Sequence, residues 1–311
     1  MYRQFISALL LGFFFALTLA VATDSGAEGS AASPTVEQAY LGLSKGPLRA
    51  AHLTDLPEGL VMRSGDIQIT VAEIAAEIDT IEDQPTIREQ LTNNLFFVLE
   101  LLATRALLLK EAQAAALDTA GQPDSTVINA YLDSLATEVQ VTEEEARAFF
   151  DTNADMFGGA AYEQVEKDLR AYLRTEKQQA TVDAHLNSLS ERIPVEVNAA
   201  WLQQLAPAAL DTPVDRARRS GKPTLVDFGA TGCTACDLMA PVLEQLRAEY
   251  QGRCNVLLVS VSEQPVLSAR YGISSIPVQV FYDAQGREVY RHTGFLPEDK
   301  LEAKLSDLGV K

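Results

Sequence analysis

The chain has 311 residues, a length that points to about two domains. Its 47% hydrophobic and 22% charged residues are ordinary globular usage, against bulk disorder, collagen-like repeats and a polytopic membrane protein. A formal net charge of −18 argues against nucleic acid as a partner, and three cysteines exclude a disulfide-dense scaffold.

That charge is unevenly placed: residues 213–311 hold 12 basic and 12 acidic side chains, so residues 1–212 carry all of it. At the N-terminus, Arg3 precedes an apolar run from Ile6 to Ala22, broken only by Ser7, Gly12 and Thr18. The run is short of the ~20 residues of a membrane span, and Ala20-Val21-Ala22 offers small residues where a signal peptidase reads. Residues 1–22 are therefore expected to be a secretory signal peptide cleaved after Ala22, with an uncleaved anchor as the alternative. No cysteine lies near the cleavage point, which argues against a lipid-anchored form. Either way the rest of the chain is expected outside the cytoplasm, in the periplasm, where cysteines can be oxidised. Residues 23–60 read as a linker.

From Gly65 the pattern turns helical. Asp66-Ile67-Gln68-Ile69 alternates like a short strand, and Thr70 with Glu73 forms a capping box that opens a helix through Ile74 and Ile78. Pro85 opens the next, with Ile87, Leu91, Leu95, Val98 and Leu102 at helical spacing and an apolar arc running on through Leu109. Another helix spans about residues 125–138, Thr142 with Glu145 caps a further one through Phe149 and Phe150, and a long amphipathic helix covers residues 162–192. Ile193-Pro194-Val195-Glu196-Val197 reads as extended.

The segments "LLLKEAQAAAL", "VTEEEARAFFDTNADMF" and "YEQVEKDLRAYLRTEKQQATVDAHLNSL" resemble the helical peptide-binding part of SurA- and PrsA-type chaperones. In those families a parvulin prolyl isomerase domain commonly sits between the last two helices. Only Gly158-Gly159-Ala160-Ala161 fills that place here, so no isomerase activity is expected. The resemblance implies an all-α, client-binding domain over residues 61–198, followed by a linker over residues 199–212. A helical spacer or dimerisation domain without clients is the other reading.

Beyond Pro213 the pattern changes again. Residues 224–228 read as a buried strand, Gly229 to Gly232 as a turn, and Cys233-Thr234-Ala235-Cys236 opens a helix reaching Tyr250. A strand over 256–261, a short helix over 265–271, a hairpin of strands at 278–282 and 288–291, and a helix over 298–308 complete a β-α-β-α-β-β-α order, an α/β fold around one sheet.

"PTLVDFGATGCTACDLMAPVLEQL", "EYQGRCNVLLVSVSEQPVLSARYGISSIP" and "VFYDAQGREVYRHTGF" resemble thioredoxins in order and nearly in spacing. Residues 213–311 are thus expected to adopt a thioredoxin fold and to exchange thiols and disulfides. That chemistry needs a thiolate at an exposed helix start, where unpaired N–H groups and the helix dipole lower a thiol's pKa. Cys233 is expected to attack, and Cys236, one turn in, to break the mixed disulfide. Half a zinc site is a weak reading, since zinc needs about four ligands and His52, His185, His292 and Cys254 offer no second pair. An inert structural disulfide is another alternative. The resemblance further implies that the Ile276–Pro277 bond is cis and lies against the dithiol. Thr234, Ala235 and Ile276 would then meet the substrate chain, and Asp227 would accept the proton of the buried cysteine. A plain strand-starting proline and a satisfied strand-end aspartate are the plainer readings of those positions.

Departures from the family are also visible. Gly232 stands where members often carry Trp, Leu258 replaces a buried lysine on the second strand, and Thr234-Ala235 replaces Gly-Pro. Cys254 reads as a small core residue or, less simply, a third redox thiol. No cofactor or metal is called for, because the two sulfurs carry the electrons. Expected partners are exported proteins with disulfides or unfolded segments, and a membrane electron donor of the DsbD/CcdA type. The chain reads as a reductase or isomerase of extracytoplasmic disulfides. A client-binding chaperone that uses its thioredoxin domain for docking, and a disulfide donor, are the alternatives.

Overall fold

A computed structural model describes residues 33–115 and 121–311; the expected signal peptide lies outside the described residues. The chain forms two compact units. One combines the residues up to Ala103 with Ile193–Lys311, and the other is Thr104–Arg192.

The described chain opens with structure where a linker was expected. Thr35 and Gln38 form a capping box on a one-turn helix, α1 (Val36–Ala39), and β1 (His52–Thr54), β2 (Leu60–Ser64) and β3 (Ile67–Thr70) follow. Val36, Leu43 and Leu48 are fully buried, which is why this polar-looking stretch is ordered. The Thr70–Glu73 capping box opens α2 (Val71–Asp79), which buries Ile74 and Ile78. The single helix expected from Pro85 to Leu109 is two: α3 (Pro85–Thr92) and α4 (Leu95–Ala114). The break falls at Asn93-Asn94, where the Asn93 N–H closes α3 on the Glu89 carbonyl and the Asn94 carbonyl accepts from the Phe97 N–H. Asparagine favours such ends over helix interiors. Phe96, Phe97, Val98 and Leu99, adjacent around α4, are all buried.

In the second unit the last part of α4 is followed by α5 (Asp124–Ala136), α6 (Glu143–Thr152), a 3₁₀ turn at Ala154–Phe157 and α7 (Tyr162–Arg192). Thr142 and Glu145 cap α6 as expected. Val141, Ala146, Tyr162 and Leu169 form one core, with Phe149, Phe150 and Phe157 against it, and the Arg147 guanidinium lies 4.2 Å from the centre of the Tyr162 ring. Glu111 accepts from His185 at 2.7 Å and from Arg192 at 2.9 Å.

Returning to the first unit, β4 (Glu196–Asn198) runs parallel to β1 and antiparallel to β2, giving a small sheet in the order β1-β4-β2-β3. The N-terminal part is therefore mostly helical but not all-α. Residues 199–212, expected as a linker, hold α8 (Ala199–Ala209). The Asn198 side chain caps it by accepting from the Trp201 N–H at 3.0 Å, and Leu202, Ala206 and Ala209 are buried. Pro207 falls in its last turn, where the helix is already ending. Next come α9 (Pro213–Arg218), β5 (Thr224–Gly229), α10 (Thr234–Glu249), β6 (Asn255–Ser260), α11 (Pro265–Arg270), β7 (Val278–Tyr282), β8 (Glu288–Thr293) and α12 (Glu298–Asp307). This is the expected β-α-β-α-β-β-α order with α9 in front.

The second sheet has the order β6-β5-β7-β8, parallel between β5 and β6 and antiparallel elsewhere. Alternation along β5 divides its side chains between two cores. Leu225 packs with Phe281, Met239, Leu243, Leu246 and Leu301, and Val226 and Phe228 pack with Val280, Tyr282, Leu267 and Val214. A buried polar cluster joins the elements on this second side. Arg270 pairs with both oxygens of Asp215, at 2.6 and 2.5 Å, and also donates to the Ala209 carbonyl. Arg218 donates twice to the Gly286 carbonyl and lies 4.5 Å from the centre of the Tyr282 ring.

Candidate functional site at the start of the central helix

The two cores hold β5 rigidly, and everything of chemical interest sits at its C-terminal end. Gly232, at φ +82°, turns the chain into α10 in a conformation glycine adopts without penalty. Cys233 is the N-cap of that helix, and its Sγ accepts from the Cys236 N–H at 3.3 Å. A sulfur in that position receives the helix's unpaired N–H groups and the positive end of its dipole. Cys233 and Cys236 form a disulfide, with their Cα atoms 5.2 Å apart. Cys233 is half-buried, whereas Cys236 is only 7% exposed. The outer sulfur is reachable and the inner one is not.

Beneath the pair lies Asp227, 4% exposed in an otherwise apolar strand. Burial pushes its carboxyl up to about 6, against the opposing effect of a hydrogen bond from Gln279. A methyl group built on Gly229 would stand 3.3 Å from Asp227 Oδ2 and 3.4 Å from Cys236 Sγ. Carboxylate and inner sulfur thus border one small space that the missing side chain leaves open. Leu258, at the register position opposite Asp227 on β6, supplies no charge.

The Ile276–Pro277 bond is cis, and Pro277 is buried directly before Val278, the partner of Phe228 on β5. The fold therefore brings Pro277 to the same end of the sheet as the dithiol. Thr234 is exposed there, while Ala235 and Ile276 are half-buried. Gln279 was not anticipated from the sequence. Its Nε2 donates to Asp227 Oδ1 at 2.8 Å, and the only signal was a lone amide in an apolar strand. Cys254 is a core residue, 6% exposed, with its thiol pushed up to about 11 by burial. Among the described residues no three His, Cys, Asp or Glu side chains gather as metal ligands, and no helix is long and apolar enough to cross a membrane.

Residues 210–309 match the thioredoxin-like domain. The thioredoxin of Alicyclobacillus acidocaldarius is 37% identical over 98 residues, which are 32% of this chain and 92% of that protein. The chain belongs to the thioredoxin family. Staphylococcus aureus thioredoxin is 42% identical over 81 residues, 26% of this chain and 77% of its own length. A crystal structure of a thioredoxin from Nicotiana alata is 29% identical, covering 30% of this chain and 79% of that one, at a TM-score of 0.28. The C-terminal region thus has the thioredoxin fold, and at the general level the chain is a thiol–disulfide oxidoreductase. These matches leave the helical N-terminal region uncovered.

Proposed function

We propose that this thioredoxin-family chain is exported and reduces or isomerises disulfides in extracytoplasmic proteins. The observation that carries the chemistry is the Cys233–Cys236 disulfide at the N-terminus of α10, half-buried at one sulfur and closed off at the other. In the reduced protein Cys233, as thiolate, attacks a substrate disulfide. Cys236 then attacks Cys233, after passing its proton toward Asp227, and releases the substrate thiol. In this reading Ile276, beside Pro277, offers its backbone to an extended substrate strand, with Thr234 and Ala235 as further contacts. The apolar run at residues 6–22 supports export to the periplasm. Outside the cytoplasm electrons must then arrive across the membrane, which calls for a DsbD/CcdA-type donor.

Trapping tests both the roles and the direction of electron flow. A Cys236→Ala variant should accumulate mixed disulfides through Cys233 with exported proteins and with the membrane reductase, read by mass spectrometry. Capture of a DsbB-like oxidase alone would reverse the direction and make the chain a disulfide donor. A client-binding role for the helical region is favoured by one observation, an apolar cleft lined by Val71, Ile74, Ala75, Ile78, Leu95 and Trp201. On the chaperone reading, Cys233→Ala abolishes insulin reduction but leaves suppression of client aggregation intact.

A further inference from the structure

A row of side chains crosses the C-terminal sheet on the face covered by α10. Leu258 on β6, Asp227 on β5 and Gln279 on β7 are direct cross-strand partners. Gln279 is completely buried. One end of its amide is committed: Nε2 donates to Asp227 Oδ1 at 2.8 Å and lies 3.3 Å from Met239 Sδ. Its Oε1 is buried with no hydrogen-bond partner. An amide kept in a core with its oxygen unpaired is destabilising relative to a satisfied one, so packing alone does not account for it. With Oδ1 taken by Gln279, Oδ2 is the oxygen left facing the space at Gly229, across which Cys236 Sγ lies.

We propose, resting on the disulfide-exchange reading above, that Gln279 is a positioning residue that locks the Asp227 carboxyl with Oδ2 open to the Cys236 thiol. The arrangement has the logic of a nucleophile, a base and an orienter of the base. In the mixed disulfide, the Cys236 S–H proton moves to Asp227 Oδ2. The Cys236 thiolate attacks Cys233 Sγ, the bond from Cys233 to the substrate sulfur breaks, and its electron pair leaves on the substrate thiolate, which takes up a proton. Two protein thiols are oxidised to one disulfide, and one substrate disulfide is reduced to two thiols.

Few groups compete for control of Asp227. Helix α10 presents Cys236 and Met239, β6 presents Leu258, and β7 presents Gln279. Strand β8 brings His292 opposite Gln279, its Nε2 held 3.1 Å from the Phe295 carbonyl. Among the described residues no charged side chain contributes to the shift of Asp227. Among them Gln279 is the side chain that hydrogen-bonds that carboxyl, and it favours the ionised form.

Gln279→Met keeps the length of the side chain and removes the donor. Carbon-detected NMR of the oxidised variant should show the Asp227 carboxyl titrating about one pH unit or more above wild type, the loss of a charge-assisted hydrogen bond. For a one-unit shift from about 6, the ionised fraction at pH 6, and with it the rate at which Cys236 resolves a mixed disulfide on Cys233, should fall about fivefold. The rate deficit should shrink as pH rises past 8. A folded variant with an unmoved titration and an unmoved pH–rate profile would overturn the proposal. Should the variant not fold, the wild type decides. Its Gln279 side-chain amide resonances should follow the Asp227 midpoint, and pH-independent resonances would overturn the proposal equally. If wild-type protein reduces no disulfide at any pH, the exchange reading fails, and the NMR titrations still score the contact between Gln279 and Asp227 separately.

Discussion

Asp227 destabilises the fold it belongs to whenever it is ionised. Its carboxyl, ordinarily at 3.8, titrates at about 6 because burial disfavours the charge. The folded state therefore keeps a proton that the unfolded state has lost, so the contribution is fully present below about pH 4 and is lost as pH rises through about 6. Two units correspond to up to about 3 kcal/mol. Asp227→Asn should raise stability at pH 7.5 by about 2 kcal/mol and change it little near pH 3.5, while slowing the resolving step. Urea unfolding at the two pH values measures the difference, and an equal effect at both would contradict the burial argument. The dithiol spacing of Cys233 and Cys236 could be read from the sequence directly, whereas Asp227 and Pro277 drew attention only through the resemblance to thioredoxins; the structure places the disulfide at the start of α10, buries Asp227 and makes the Ile276–Pro277 bond cis. Gln279 was not legible in the sequence, since its importance comes from the strand register that sets it against Asp227, and register is not written locally.

At the scale of elements, capping signals translated directly: Thr70 with Glu73 and Thr142 with Glu145 open α2 and α6. Misreadings arose where long-range burial overrides local composition, as in residues 34–60 and in α8. The joint between α9 and α11 was invisible for the same reason, because Asp215 and Arg270 meet only in the folded chain. Their side chains are 2% and 0% exposed, so removing one partner leaves the other charged and buried. Arg270→Met should cost about 3–5 kcal/mol. Adding Asp215→Leu should recover much of that loss, because an apolar pair replaces a desolvated one. A double-mutant cycle by chemical denaturation reads both. If the single variant loses less than about 1 kcal/mol, the pair is not the fastener described.

For the whole molecule, the three most strongly shifted carboxyls among the described residues, Asp227, Glu100 and Glu288, weigh most on the pH at which the fold is strongest. Burial raises Glu100 to about 7, against hydrogen bonds from Ser44 and the Gly46 and Leu48 N–H groups and the charge of Arg270. Like Asp227, it supports the fold on the acid side and loses that support as pH rises through its folded value. Glu288 behaves oppositely. Burial would raise it, but hydrogen bonds and charges from Arg291 and Lys45 bring it down to about 2, so its contribution disappears as pH falls from 4.5. The net charge of −18 adds repulsion that grows with pH. Thermal melts should therefore peak near pH 5, and a maximum at or above pH 7.5 would contradict this balance. The charge asymmetry between residues 1–212 and 213–311 does not follow the division into units, because the residues up to Ala103 group with Ile193–Lys311. The interrupted first unit was not legible in the sequence, because nothing local marks Ala103 and Ile193 as its seams.

That interruption has a consequence for how the protein is made. The ribosome delivers the opening of the first unit, then the whole of Thr104–Arg192, and only afterwards the residues that complete the first. The inserted unit is contiguous and free to fold as it emerges. Leu43, Leu48, Phe96 and Phe97, all buried in the finished protein, belong to the first unit, which is complete only once the chain beyond Ile193 has followed. At ~5–20 residues per second the wait is on the order of 10–40 s. For that interval the nascent chain is its own aggregation hazard, and the thioredoxin site is the last part of it to come into being.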